Sequence, residues 1–380
     1  MRDHVICTVG ASLQNNIVRG LVFGEEAKRF YEEDRLSEIS RILRKQDDPL
    51  NNRNFGAEIN SMASIVKQGI VDQRETLYLL VSDTTEGEKI GKILKDYFKE
   101  NDHELDFKNV HVVKVEGLND SDEFTFRNKG LRNLIREMAK YARLNRERVV
   151  INATGGYKAQ IAYAVALGQA LGIPVCYRFD RFNHMVELPP LPIGLDQKIY
   201  NENKLIFTLL DAAGELELSE FLKVIGWKSW ADVPEKMKLF LDRVHIDGKD
   251  FVALNPMGLI YAESVEWDYS AIDHPIFYSN REPEEKLVGF EIHGQKVVKQ
   301  AYKIIEKLVE LPWINSLHLT GSSEKSSGSS IRTLVQDGCL KVELFTEKGA
   351  LYMKAYCRYR SDRFLEAVRF KVEKVLSENI

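Results

Sequence analysis

Apolar residues follow three different rhythms along the 380-residue chain. Over residues 1–195, short unbroken apolar runs alternate with helical patterns. HVICTV at 4–9, LYLLVS at 77–82, RVVINA at 148–153 and IPVCYRF at 173–179 read as strands, and VHVVKV at 110–115 alternates like one. Helical spacing runs over 87–98, over 131–142, and up to Leu171 after RVVINA. Strands that are apolar throughout and separated by helices predict a parallel sheet covered on both faces, an α/β Rossmann-like domain. The cluster LPPLPIG at 188–194 marks its end, because proline removes backbone donors and blocks helix.

The pattern changes over residues 200–270. Helices are predicted over 203–213, 218–224 and 233–244, and VHIDGKDFVALNP then gives two β-like pieces around Asp247-Gly248, a hairpin signal. Three short helices and a hairpin spell a winged helix-turn-helix. It can bind nucleic acid or act as a dimerisation or spacer module. The third helix offers Lys236, Lys238 and Arg243 against Glu235 and Asp242, too thin a basic surface for phosphates, which favours the spacer. Residues 281–380 read as a small α+β domain. They show a strand over 287–292, an amphipathic helix over 295–308, the serine-rich loop GSSEKSSGSS at 321–330, strands over 330–336, 340–345 and 351–359, and a last helix over 362–376.

Composition narrows the class. With 44% apolar and 29% charged residues the chain is an ordinary globular protein. Its most apolar stretch, 159–175, is broken by Gln160, Gln169, Gly172 and Pro174, short of the roughly 20 apolar residues of a membrane span. The start MRDHVICTVG has no apolar core of signal-peptide length, so a cytoplasmic location and no membrane contact are expected. Cys7, Cys176, Cys339 and Cys357 show no CxxC spacing and the histidines are scattered. Buried free thiols are therefore expected, with no metal and no disulfide framework. Residues 281–380 carry 17 basic and 14 acidic residues against an overall charge of −4, a weak hint of an anionic partner for this end.

Two glycine turns carry the candidate chemistry. Thr8-Val9-Gly10-Ala11-Ser12-Leu13 follows the first strand, and Asn152-Ala153-Thr154-Gly155-Gly156-Tyr157-Lys158 follows RVVI. Both lie at the carboxyl end of a strand and before a helix, where open α/β sheets bind ligands and free N–H groups favour anions. Glycine lets the backbone approach a phosphate or a base, while Ser12, Thr154 and Lys158 add polar groups. The plainer alternative is a tight turn without a ligand. Neither turn is GxxxxGK[ST] or GxGxxG, which disfavours ATP hydrolysis and NAD binding.

TVGASL together with INATGGYKAQIAYAVALGQALGIPVCYRF resembles the CRISPR-associated Rossmann-fold (CARF) sensor domains of type III CRISPR accessory proteins. The resemblance covers residues 1–195. It implies a homodimer with one symmetric pocket for a cyclic oligoadenylate, an allosteric activator, with no cofactor. By position Ala11, Ser12, Leu13 and Gln14 line that pocket with Thr154, Gly155, Gly156, Tyr157 and Lys158, and Ser82, Asp83, Thr84 and Thr85 form a further rim. A two-fold site suits a two-fold ligand.

A sensor needs an effector. Arg178 and His184 sit at a strand exit, not on a helix as a HEPN ribonuclease motif requires, and 340–345 offers only Glu343, too few acids for a PD-(D/E)xK nuclease. The order strand, helix, loop, three strands, helix over 281–380 is similar to the RelE family of ribosome-dependent mRNA interferases. His318-Leu319-Thr320-Gly321 stands at the family's basic turn, Arg332 at a family arginine, and Cys357-Arg358-Tyr359-Arg360-Ser361-Asp362 at the basic stretch before the last helix. The second basic residue of the turn is replaced by Thr320, and Phe364 stands where the family often has tyrosine. Arg332 and Arg358 are candidates to neutralise a phosphorane and His318 to act as acid or base, with Lys325, Arg360 and Tyr356 behind them. Arg332 and Arg358 reach one phosphate if their strand ends meet. The ordinary alternative is solvated charge on strands.

Sensor, winged helix and RelE-like domain in this order resemble the CRISPR-associated mRNA interferases. The resemblance implies activation by cyclic tetra-adenylate, cleavage of mRNA in the ribosomal A site, and docking on the ribosome, with its stalk as one candidate surface. Two alternatives stay open: a transcription regulator built from the sensor and winged helix, and a ring nuclease that degrades the signal.

Overall fold

The computed structural model describes residues 2–20, 24–99, 104–179, 182, 184–192, 194–265, 269–290, 295–325 and 330–377. They group into two compact units. The first comprises 1–197, 236–242 and 255–265; the second comprises 198–235, 243–254 and 266–380. The segment expected as one winged domain is thus shared between them.

The first unit is built on a six-stranded sheet. Its strands are β1 (His4–Thr8), β2 (Thr76–Ser82), β3 (Asn109–Val115), β4 (Val149–Asn152), β5 (Val175–Tyr177) and β6 (Val186–Leu188), in the order β3-β2-β1-β4-β5-β6. β1 to β5 are parallel, and β6 returns antiparallel to β5. β6 departs from the sequence reading, which placed only a boundary there. Every residue of β1 and β4 is buried, which requires helices on both faces. Among the described residues five α-helices come before β3: α1 (Ser12–Val18), α2 (Gly24–Glu32), α3 (Leu36–Arg44), α4 (Gly56–Lys67) and α5 (Thr85–Tyr97). They bury Leu13, Ile17, Ile39, Ile59 and Ile93 in one core with Val5, Cys7, Leu77 and Leu79. After the one-turn α6 (Glu123–Thr125), α7 (Leu131–Leu144) packs on β1 to β3 and on α8 (Lys158–Leu171).

Next come α9 (Gln197–Glu202), α10 (Lys204–Ala213), β7 (Glu215–Glu217), α11 (Leu218–Ile225) and α12 (Glu235–Lys238). β8 (Leu241–Ile246) and β9 (Lys249–Leu254) complete a three-stranded sheet ordered β7-β9-β8. The hairpin signal holds: Asp247 and Gly248 both have positive φ, 50° and 79°. The helix predicted over 233–244 does not form. Only Glu235–Lys238 is helical and Leu241 onward is strand, because LDRVHI pairs with β9 across the turn at Asp247-Gly248. α13 (Pro256–Glu263) packs on α7 and α8, with buried Glu263 ion-paired to Arg143.

The second unit holds a five-stranded sheet of β10 (Leu287–Val288), β11 (Ile314–Ser323), β12 (Ser330–Gln336), β13 (Cys339–Thr346) and β14 (Gly349–Cys357), ordered β10-β11-β14-β13-β12. β10 is parallel to β11; the other pairings are antiparallel. α14 (Gln295–Glu310) and α15 (Asp362–Ser377) complete it. β11 corrects the sequence reading, since 314–323 is strand rather than a turn leading into a loop. The end of the strand expected over 287–292 and residues 326–329 of the serine loop lie outside the described residues. No helix among the described residues is long and apolar enough to cross a membrane. All four cysteines are free and buried, and burial pushes the Cys176 and Cys357 thiols up to about 12.

Candidate functional site

The strand order puts β1 and β4 side by side where the winding of the sheet reverses. Both glycine turns leave the carboxyl ends of these two strands, in the crevice where doubly wound sheets take ligands. The turns lock together. The Thr8 hydroxyl donates to the Gly155 carbonyl at 2.6 Å, and a Cβ on Gly10 would fall 2.5 Å from the Gly156 nitrogen. Gly156 has φ +95°, a conformation side chains disfavour. Thr154 donates its hydroxyl to Asn152 Oδ1 at 2.7 Å and accepts from the Arg178 N–H at 3.1 Å.

Glu58, on α4, lies fully buried beneath the turns. Its Oε1 accepts from the Gly10 N–H at 2.7 Å and its Oε2 from the Ser12 hydroxyl at 3.3 Å. Ser12 also accepts from the Ala57 N–H at 2.8 Å. Burial pushes the Glu58 carboxyl up, while the bonds from Gly10 and Ser12 act the other way. The Gly10 N–H and the Ser12 hydroxyl, offered by the sequence as ligand donors, are therefore already engaged by a carboxyl of the protein itself.

Two cavities flank the joined turns. One, of about 310 Å³, is lined by Ala11, Gln14, Ser82, Thr84, Gly156 and Tyr157 together with Glu86 and Asp120. The other, of about 300 Å³, is lined by Ser12 and Thr154 with Asn16, Asn51, Arg53, Asn60 and Arg178. The first holds two carboxylates and no Lys or Arg among its described lining residues; the second holds two arginines and no acid. Five predicted residues are placed elsewhere. Leu13 is core, because α1 turns its apolar face to the sheet. Asp83 accepts from the Gly117 N–H at 3.0 Å and pairs with Lys114. Lys158 is exposed at the start of α8 and lines neither cavity. Gly155 is buried against Glu58, and Thr85 opens α5 behind its cap Thr84, which accepts from the Gly87 N–H. Arg53, Glu86 and Asp120 escaped the sequence reading, since no motif marks them, and Arg178, weighed there only as a nuclease-motif residue at a strand exit, lines a cavity instead.

In the winged segment α12 is one turn long, and Arg243 sits on β8, paired with Asp250 at 2.6 Å. No long basic helix remains to enter a nucleic-acid groove.

The C-terminal sheet has two unlike faces. Leu317, Leu319, Val342, Leu344, Leu351, Met353 and Ala355 are buried on one, where α14 and α15 pack. Directly paired residues share a face, so the register assembles the other. One row is Arg332, Glu343, Tyr352 and Gly321; the next is Leu334, Lys341, Lys354 and His318; beyond it Tyr356 pairs with Ser316. Arg332, Leu334 and Tyr352 are exposed, and His318, Lys341, Lys354 and Tyr356 are half-buried. His318 Nε2 lies 3.0 Å from the Ser316 hydroxyl, and its ring meets the Tyr356 ring edge-on at 4.8 Å. The Arg360 guanidinium lies over Tyr356 at 5.9 Å, and that of Arg332 over Phe345 at 5.4 Å. Lys325 is exposed just past the end of β11, towards the Arg332 side.

The expected meeting of Arg332 and Arg358 does not occur. β12 and β14 are separated by β13 and run in the same direction, so the start of one lies beside the start of the other. Arg332 shares a row with Tyr352 near the start of β14, whereas Arg358 follows its end, roughly 20 Å along the strand. There Arg358 binds Glu220 Oε1 at 3.0 Å and the Ile276 carbonyl at 3.2 Å. His318 is likewise mid-strand, not in a turn. Thr320 forms a bulge in β11, its hydroxyl donating to the Tyr352 carbonyl at 2.9 Å. Lys341, Lys354 and Tyr352, which the register adds to the face, were invisible as neighbours of His318 in sequence. Among the described residues no three His, Cys, Asp or Glu side chains converge as metal ligands.

No curated protein matches the chain. Residues 53–191, from the entry to α4 through the second glycine turn to the end of the first sheet, match a family model described as CRISPR-associated protein (Cas_APE2256), and this similarity supports a CRISPR-associated role.

Proposed function

We propose that the chain is a sensor and effector in one: a homodimeric endoribonuclease of type III CRISPR defence, activated by a cyclic oligoadenylate, that cuts mRNA in the ribosomal A site. The observation that carries the effector half is the open face of the C-terminal sheet. Cations interleaved with tyrosines on a rigid sheet suit a single strand of RNA, whose phosphates need charge and whose bases need flat partners. In the cleavage, the 2′-oxygen attacks the adjacent phosphorus as its proton leaves to a base. The bond to the 5′-oxygen breaks, and that oxygen takes up a proton. His318, with its ring fixed by Ser316 and Tyr356, is placed for one of these transfers, and Arg332 and Arg360 for phosphate charge. Dependence on the ribosome follows from the sparse acid–base set, the ribosome holding the mRNA in a reactive pose.

The sensor half rests on the paired turns at the switch point. The charge difference between the two flanking cavities divides a nucleotide ligand naturally. Phosphates suit the side of Arg53 and Arg178, and the amino group of adenine suits the side of Glu86 and Asp120. The one-turn α12 weighs against transcription regulation. Toeprinting of an mRNA on stalled ribosomes tests the reading. Wild-type protein with cyclic tetra-adenylate is expected to produce a new stop at the A site, and without it none. The same absence of cleavage in both arms would overturn the proposal.

A further inference from the structure

Lys354 stands at the centre of the open face. It lies directly opposite His318 on β11 and directly opposite Lys341 on β13, with Tyr352 and Tyr356 two residues to either side on its own strand. Direct partners across antiparallel strands have Cβ atoms about 4.5–5.5 Å apart, so three basic side chains share one small area. Like charges placed directly opposite destabilise a sheet, and the face keeps them nonetheless. Lys341 is partly neutralised: it donates to Gln336 Oε1 at 2.5 Å and lies 3.7 Å from Asp337 Oδ2. The Lys354 side chain makes no hydrogen bond or ion pair among the described residues, though half-buried. An uncompensated cation held at the centre of a rigid face calls for an external anion. The adjoining histidine, positioned by Ser316 and Tyr356, makes that anion one on which proton transfer takes place.

Thr320 is the extra residue of β11, and its hydroxyl is spent on the Tyr352 carbonyl. β11 therefore supplies His318 and no second base, while the neighbouring strand brings a lysine to the same spot. We propose that Lys354 is a catalytic residue of the RNA cleavage, its ammonium touching the scissile phosphate beside His318. This rests on the ribonuclease reading above. As the 2′-oxygen attacks and the 5′-oxygen leaves, Lys354 stays protonated and balances the extra negative charge on the phosphorane oxygens.

Single-turnover cleavage of mRNA on stalled ribosomes, by the full chain saturated with cyclic tetra-adenylate, tests this. Lys354→Ala and Lys354→Gln are each expected to slow cutting about a hundred- to a thousandfold. Lys354→Arg, which restores the charge, is expected within about tenfold of wild type; a residue that merely supports the sheet would not be rescued by charge. Lys341→Ala, on a lysine already bonded to Gln336 at the end of β12 and close to Asp337 in the turn, is expected within about fivefold. Ligand affinity and thermal midpoint serve as controls and are expected to stay at wild-type values in all four. Wild type that cuts while Lys354→Ala and Lys354→Gln cut as fast overturns the inference and leaves the ribonuclease reading standing. Equal loss in Lys341→Ala, or no rescue by arginine, also overturns it. Wild type that cuts nothing overturns both.

Discussion

Glu58 shows how a single buried carboxyl shapes the paired turns of the first unit. It ties α4 to the turn after β1 and lies against Gly155 of the second turn, so one side chain fixes both. Its proton is held more tightly in the folded chain than in the unfolded one, whose glutamate value lies near 4.5. A group raised on folding contributes stability that is full below the unfolded value and is lost as pH rises through the folded one. Glu58→Gln keeps the shape and an acceptor for the Gly10 N–H but cannot ionise. Urea midpoints measured between about pH 4 and pH 8 are therefore expected to fall more steeply with pH for wild type than for Glu58→Gln. Parallel slopes for the two proteins would refute the assignment.

At the scale of elements, the second unit joins residues 198–235 and 243–254 to the five-stranded sheet, and Arg358 is one of the joints. Its bonds to Glu220 on α11 and to the Ile276 carbonyl hold the end of β14, while Tyr359 beside it is buried with Phe277 and Phe364. The ion pair is partly solvated, with side-chain exposures of 32% and 43%, so water screens most of its attraction. A double-mutant cycle of Arg358→Ala and Glu220→Ala, followed by urea denaturation, is expected to give a coupling of at most about 1 kcal/mol. A coupling above about 2 kcal/mol would mean that the pair is a buried latch and not a surface joint. The aromatic cluster of Phe277, Tyr359 and Phe364 makes the larger contribution here, since its members are nearly fully buried. That also accounts for Phe364: packed against Phe277 and Tyr359, it is core and not a stacking partner for a base.

For the whole molecule, the ligand proposed above would link binding to stability. A ligand that binds only the folded protein stabilises it by about 2.7 kcal/mol at a hundred times its dissociation constant. Cyclic tetra-adenylate is expected to raise the thermal midpoint of wild type measurably by scanning calorimetry. The same concentration should give Arg53→Ala a clearly smaller rise, because a charge-assisted phosphate contact contributes about 1.5–3 kcal/mol. Lys158→Ala, outside both cavities, is expected to respond like wild type. A wild-type response in Arg53→Ala together with none in Lys158→Ala would place the phosphates at the start of α8.

Local patterning along the chain is enough to encode part of this fold. All-apolar runs gave β1, β2, β4 and β5 to within two residues at either end, and the Asp-Gly pair gave the turn at 247–248, where positive φ is needed at both positions. The glycine turns were legible for the same reason, as glycines between a strand and a helix. What the tertiary structure alone decided is non-local. LDRVHI became a strand because β9 was there to pair with it, overriding a helical spacing. His318, taken for a turn residue, sits in the middle of β11, and only register makes Lys354 its neighbour across 36 positions of chain. Glu58 lay in a stretch with no motif, yet the fold buries it under Gly10 and Gly155. Periodicity reports which face of an element is apolar; it carries no information about which other element will lie against the remaining face, and both candidate sites are made of such pairings.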